Sequence, residues 1–192
     1  MFLVKNCIKI ITIDNEIKVV GLSLEKFGYP KKAEKIGDMW GAYEKNYRMK
    51  AENVKVPVLN YGFWYNKPDK DYDYLVGSAV TDFKNIDAEL TPYVIPAGKY
   101  IKASFNAKDF TDLVCGSGIS DSFKSAKKYA EDNSLKIRQM PVFPVGAIEV
   151  YPHELLCVGK ENGPEWGIGM DIKFITPSQN HYPEMFTLTA VE

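Results

Sequence analysis

Apolar and polar positions along the chain alternate between two periods, and each change of period marks an element. Ile8 to Ile13 is a short β-branched run. After the polar turn Asp14-Asn15-Glu16, Val19-Val-Gly-Leu-Ser-Leu24 continues as a second extended piece, so the pair reads as one bent strand or a tight hairpin. Gly28-Tyr-Pro30 breaks the chain, and Pro30 suits a helix entry. From Lys32 to about Lys50 the spacing becomes three and four. Ile36, Met39, Trp40, Tyr43 and Tyr47 form one helical face, opposite Glu34, Lys35, Asp38, Glu44 and Lys45.

Val58 to Tyr65 is an aromatic strand, Asn66 to Asp71 a polar turn with proline, and Tyr72 to Thr81 the partner strand of a hairpin. Asp82 to Pro92 reads as a connector between two halves. Tyr93 to Gly98 then leads into a strand over Lys99 to Phe105. A loop with Gly116 and Gly118 precedes a helix from Ile119 to about Asn133, with Ile119, Phe123, Ala126 and Ala130 on one face and Ser117 or Ser120 available as cap. Phe143 to Tyr151 is a strand carrying one carboxylate, Glu149. A turn through Gly163-Pro164 leads to a closing strand, Gly167 to Ile175, stopped by Pro177. Each half therefore reads strand, helix, strand, strand, with repeats spanning about 8–81 and 93–176.

Glu149 stands out because an ionised glutamate in a largely apolar strand is costly to bury unless something pairs with it. Side chains alternate along a strand, so Ala147, Glu149 and Tyr151 share one face and Ile148 and Val150 the other. A neighbouring lysine or tyrosine hydroxyl would make the carboxylate purely structural; a ligand would make it functional.

Composition narrows the choice. With 192 residues, 45% hydrophobic and 26% charged, the chain fits a soluble globular protein with a real core. A net charge of −1, from 24 basic and 25 acidic residues, argues against a dedicated nucleic-acid binder. Cys7, Cys115 and Cys157 are widely spaced and form no CxxC pair, which suits reduced thiols in the cytoplasm. Cys115-Gly-Ser-Gly has only a superficial likeness to a nucleophile turn, and no convincing base accompanies it. His153 and His181 lie near no second ligand at metal-binding spacing, so neither a metal nor a cofactor is expected. No segment has a signal peptide's pattern or the length to span a bilayer. Aromatic residues, at 13%, are plentiful enough to supply a binding surface as well as a core.

Tyr93-Val-Ile-Pro-Ala-Gly-Lys-Tyr100, followed by a helix and then Glu149-Val-Tyr151, resembles the GyrI-like small-molecule-binding domain. That domain is the effector-binding module of AraC-type and MerR-type multidrug-sensing regulators and also occurs free-standing. Tyr72-Asp-Tyr-Leu-Val-Gly77 fits its hairpin, and the resemblance runs from about Ile8 to Pro177. It implies an α+β fold, a single domain over residues 1–192. Two pseudo-symmetric βαββ halves would form a curved antiparallel sheet packed against two main helices, with a ligand cleft between the halves. In the family a glutamate toward the end of the second half's third strand commonly lies in the cleft among aromatic walls, and Glu149 occupies that position. The chain departs from the regulators in having no helix-turn-helix, so neither direct nucleic-acid contact nor regulation by this chain alone is expected.

The expected ligand is a planar, lipophilic and preferentially cationic small molecule, with Glu149 as counter-charge and Tyr151 beside it. Tyr61, Phe63 and Tyr65 share a strand face that either lines the pocket or packs in the core. Under strict symmetry Phe63 and Tyr65 correspond to Glu149 and Tyr151, leaving Asn60, Gly62 and Trp64 on the other layer; a one-residue shift of register swaps the sets. Trp40 and Tyr43 either pack in the core or, as in the family, reach the cleft mouth, and Trp166 is a lid or a surface anchor. The rival reading is a hydrolase of reactive electrophiles, with Glu149 as general base and Tyr151 or Tyr65 orienting the substrate. A regulatory protein partner, such as a larger enzyme inhibited by this module, or a homodimer completes the set of expected partners.

Overall fold

A computed structural model describes residues 8–56, 58–67, 72–105, 117–138, 147–152 and 185–192. Eight strands are β1 (Ile8–Ile13), β2 (Ile17–Ser23), β3 (Leu59–Asn66), β4 (Tyr72–Val80), β5 (Thr91–Ile95), β6 (Gly98–Phe105), β7 (Ala147–Pro152) and β8 (Met185–Val191). They form one antiparallel sheet in the order β1-β6-β8-β7-β3-β4-β2-β5. Among the described residues two α-helices accompany it, α1 (Ile36–Ala42) and α2 (Ser117–Asp132).

The connections dictate the sheet's shape. β1 and β2 stand six places apart in the strand order, about 29 Å at the usual strand spacing. Only Asp14 to Glu16 join them, a span of at most about 14 Å. β5 and β6 are likewise six places apart and are joined through Pro96 and Ala97 alone. A flat sheet cannot satisfy both links, so the sheet curls until its ends meet. β1 and β2 are thus one bent strand, not a hairpin: β1 pairs with β6, and β2 with β4 and β5. Gly21 and Gly77 face each other across β2 and β4, where a Cβ on Gly21 would lie 2.0 Å from the Val76 carbonyl oxygen. Only glycine tolerates that close approach.

Curling gives the sheet an inner and an outer face. The inner face closes on itself around Val19, Tyr61, Phe63, Tyr65, Leu75, Ile95, Tyr100, Ile148, Val150, Leu188 and Ala190, with Ile11 and Ile13 of β1 packed against them. All eight strands contribute. The helices lie on the outer face. α1 packs with Leu22, Tyr74, Val76, Tyr151 and Met185, and α2 with Ile101, Ala103 and Val191.

Besides Thr91–Ile95, which forms β5 where a connector and a lead-in are expected, two elements differ from the sequence reading. The helix expected over Lys32 to Lys50 is helical from Ala33 to Lys50, but Tyr43–Tyr47 widens to a π-helical turn between α1 and a final 3₁₀ turn. A π turn takes an extra residue, which rotates the side chains after it about the helix axis. Glu44, expected on the polar face, is buried. The second difference is the strand β8, which the sequence reading does not include. Met185-Phe-Thr-Leu-Thr-Ala-Val191 alternates, with Leu188 and Ala190 turned inward, and it pairs with both β6 and β7. The expected closing strand at 167–175, together with Trp166, His153, His181 and the three cysteines, lies outside the described residues.

Candidate functional site

Glu149 sits on β7, directly opposite Gly62 of β3 on one side and Thr187 of β8 on the other. Directly opposed residues in an antiparallel ladder share a face. The Glu149 face therefore carries Asn60, Gly62 and Trp64 of β3, and the alternate set Tyr61, Phe63 and Tyr65 points inward. The one-residue swap is the observed arrangement, and strict correspondence of Phe63 and Tyr65 with Glu149 and Tyr151 does not hold. The inner aromatics pack with Tyr93, whose ring centroid lies 4.9 Å from that of Phe63 and 5.3 Å from that of Tyr65. The Tyr65 hydroxyl donates to Asp73 Oδ2 at 3.4 Å, and burial pushes the Tyr61 phenol up to about 12.

Around the carboxylate the structure brings together residues from four elements. The Tyr151 hydroxyl donates to Glu149 Oε2 at 2.9 Å, and the Tyr74 hydroxyl, from β4, donates to the same oxygen at 3.2 Å. Trp40, from α1, meets the Tyr151 ring edge-on, with centroids 5.2 Å apart. Trp64 stacks at a steep angle on Tyr74 at 5.2 Å. Among the described residues nothing hydrogen-bonds Oε1, and no basic side chain pairs with the carboxylate.

These neighbours set the electrostatics. Burial raises the Glu149 carboxyl to about 7, while the hydrogen bonds from Tyr151 and Tyr74 pull it down. Tyr74 and Tyr151 are both raised well above the ordinary phenol value, first by burial and then by the Glu149 charge. Both phenols therefore stay protonated and remain donors.

Tyr43 belongs to the same apolar cluster but is directed elsewhere. Its hydroxyl shares a hydrogen bond with Ser78 Oγ at 2.8 Å, and burial raises its phenol strongly. Ser78 donates to Asn60 Oδ1 at 2.7 Å, Asn60 Nδ2 donates to Glu44 Oε1 at 2.7 Å, and Arg48 Nε donates to Glu44 Oε2 at 3.1 Å. This buried polar chain clasps the π turn to the middle of the sheet. Of the expected site residues, Glu149, Tyr151 and Trp40 come together, Tyr43 stands beside them, and Tyr61, Phe63 and Tyr65 lie on the opposite face.

Tyr74, Gly62, Asn60 and Glu44 are site neighbours that the sequence alone does not single out. Tyr74 lies within the Tyr72–Gly77 segment that carries the family resemblance. A correct register for β3 would have exposed Gly62. Among the described residues no group of three His, Cys, Asp or Glu side chains is placed to hold a metal ion, and no helix is long and apolar enough to cross a membrane.

Among the described residues, a curled antiparallel sheet with helices on its outer face is the frame that carries this site. The chain belongs to the Cass2 family of integron-associated effector-binding proteins, whose model matches residues 9–172. Two solved structures agree on the fold. The EcmrR C-terminal domain is 15% identical with a TM-score of 0.55, the alignment covering 97% of this chain and 98% of that one. SAV2435 bound to tetraphenylphosphonium is 9% identical with a TM-score of 0.50, covering 97% and 94%. The Vibrio cholerae integron cassette protein VCH_CASS2 is 16% identical with a TM-score of 0.49, covering 96% and 95%. No curated protein matches the chain in sequence.

Proposed function

We propose that this protein binds lipophilic, planar or multi-ring cationic small molecules on the outer face of its sheet, with Glu149 as the counter-charge. The observation that carries the reading is the Glu149 carboxylate. It is held by two tyrosine hydroxyls on Oε2 alone, has no basic partner among the described residues, and lies among the rings of Trp40, Tyr74 and Tyr151. A cation entering such surroundings gains more from a carboxylate than it would in water, and aromatic faces add roughly 0.5 to 2 kcal/mol each. The tetraphenylphosphonium held by the structurally similar SAV2435 is a ligand of this class.

The sheet order supports the further reading of two βαββ units related by a pseudo-twofold axis. β6, β8 and β7 on one side mirror β2, β4 and β3 on the other, and β7 meets β3 at the centre. Glu149 and Gly62 then flank that axis, and the ligand cleft falls where the units meet.

Calorimetric titration of tetraphenylphosphonium and of the neutral triphenylphosphine oxide tests the proposal. In Glu149→Gln the cation's affinity falls about tenfold or more, in line with the loss of a charge-assisted contact, and the neutral compound's is unchanged. Equal losses for both, or none for the cation, would sink it. One observation favours a second reading: a carboxyl near 7 suits a general base. Glu149 would then take a proton from a water attacking a reactive electrophile, with Tyr151 orienting the substrate. Turnover of an epoxide that disappears in Glu149→Gln would establish it.

A further inference from the structure

Gly62 has an unusual set of neighbours. A Cβ built on it would lie 2.4 Å from the Tyr74 hydroxyl oxygen, 2.8 Å from Trp40 Cζ2 and 3.2 Å from Glu149 Oε2. All three are the ends of site side chains, so the space above Gly62 is where they converge. The backbone of Gly62 lies in ordinary strand conformation within β3, so glycine is needed here for room and not for its conformational freedom.

The need for room comes from the sheet order. Tyr74 is on β4 and Glu149 on β7, with β3 between them, so the two backbones are about 10 Å apart. The Tyr74 ring must lie across β3 for its hydroxyl to meet the carboxylate. Any side chain at position 62 stands in its way.

We infer that Gly62, by lacking a side chain, admits the Tyr74 hydroxyl to Glu149 Oε2, and that Tyr74 is thereby a positioning residue that leaves Oε1 to meet the ligand. The inference adds two residues to the site and rests on the cation-binding reading only for what Oε1 does. Tyr151 reaches Oε2 from the carboxylate's own strand, two residues on, and cannot fix the carboxylate's orientation across the sheet by itself. Tyr74 supplies the second anchor. Among the described residues the other groups that face the carboxylate are Gly62 of β3, Trp40 of α1 and Thr187 of β8, none of which titrates.

The experiment uses the full chain with Tyr74→Phe, Gly62→Ala and the double variant, reading two quantities. One is the titration of the Glu149 carboxyl by carbon-13 NMR without ligand. The other is the affinity for tetraphenylphosphonium. Tyr74→Phe removes a donor to the charged form, so the Glu149 titration moves upward. Gly62→Ala displaces the same hydroxyl and moves it upward too. The double variant shifts no further than Tyr74→Phe alone, because the atom the new methyl strikes first is already gone. Cation affinity at neutral pH falls about tenfold in each.

An unchanged titration in Tyr74→Phe, or in folded Gly62→Ala, overturns the inference. If Gly62→Ala fails to fold, the double variant decides: rescue assigns the clash to the Tyr74 hydroxyl, and failure assigns it to Trp40 and overturns the pairing. Should the titrations behave as expected while wild type ignores tetraphenylphosphonium, the positioning role stands and the ligand reading falls.

Discussion

Trp40 meets Tyr151 edge-on, at 5.2 Å between ring centroids and 86° between planes. The contact places a helix side chain against the second of the two tyrosines that hold Glu149. With Trp40 Cζ2 also standing over Gly62, the indole covers the carboxylate from the α1 side. A ligand that approaches Glu149 from the α1 side therefore meets Trp40. Binding of tetraphenylphosphonium is expected to change tryptophan emission in wild type, and the change is expected to shrink severalfold in Trp40→Phe. Trp64, whose ring lies against Tyr74, serves as control: Trp64→Phe should keep most of the signal. An emission change that survives Trp40→Phe intact would place the ligand elsewhere.

The inner aromatics are expected to matter for stability and not for binding. Phe63 is almost fully buried on the face opposite Glu149, packed on Tyr93. Phe63→Leu leaves a void at an aromatic contact and should lower unfolding free energy by about 1 to 3 kcal/mol in urea denaturation. Cation affinity of the folded variant should stay within about twofold of wild type. A large affinity loss at unchanged stability would return Phe63 to the ligand site.

What can be read from sequence, and what cannot, divides along one physical line. Periodicity reveals α1, α2 and the β3–β4 hairpin, because a 3.6-residue stripe and a turn with proline are local signals. Glu149 is visible because a carboxylate amid Phe, Val, Ile and Tyr contradicts its surroundings. The face of Tyr61, Phe63 and Tyr65 is not visible as the one turned away from Glu149: alternation separates it from Asn60, Gly62, Trp64 and Asn66 but does not say which set meets the carboxylate. Pairing of Gly62 with Glu149 decides it, and that pairing joins residues 87 positions apart. β8 is hidden by the opposite fault. Its alternating Phe186, Leu188 and Ala190 fit a strand, but Pro177 reads as a stop after which no further strand is expected.

The polar chain through Asn60 should prove expensive to break. Asn60 is wholly buried and bridges Ser78 to Glu44, which also takes Arg48. Asn60→Ala removes a buried donor to Glu44 and the acceptor of the Ser78 hydroxyl, which keeps Tyr43, at about 1 to 3 kcal/mol in all. Thermal unfolding should show a loss of several degrees. Because the chain ties the π turn to β3, the same variant is expected to weaken cation binding through Trp40. A variant as stable as wild type would show that the clasp contributes little.

Stability against pH offers a test of the Glu149 environment that needs no ligand. Its carboxyl lies near 7 in the folded protein against an ordinary value of 4.5. Between these values the folded chain holds a proton that the unfolded chain has lost. Stability from this group is thus full below about 4.5 and declines as pH rises to about 7. The whole effect is at most about 3 kcal/mol, lessened by the side chain's partial exposure. Glu149→Gln removes the charge while keeping the shape. Its melting temperature should match wild type near pH 4.5 and exceed it at pH 8. Cation affinity runs the other way in wild type, rising about tenfold per pH unit below 7 and levelling above, since only the ionised carboxylate attracts the ligand. A flat affinity profile across pH 6 to 8 would show that the carboxylate is already charged throughout, and burial would then not govern Glu149.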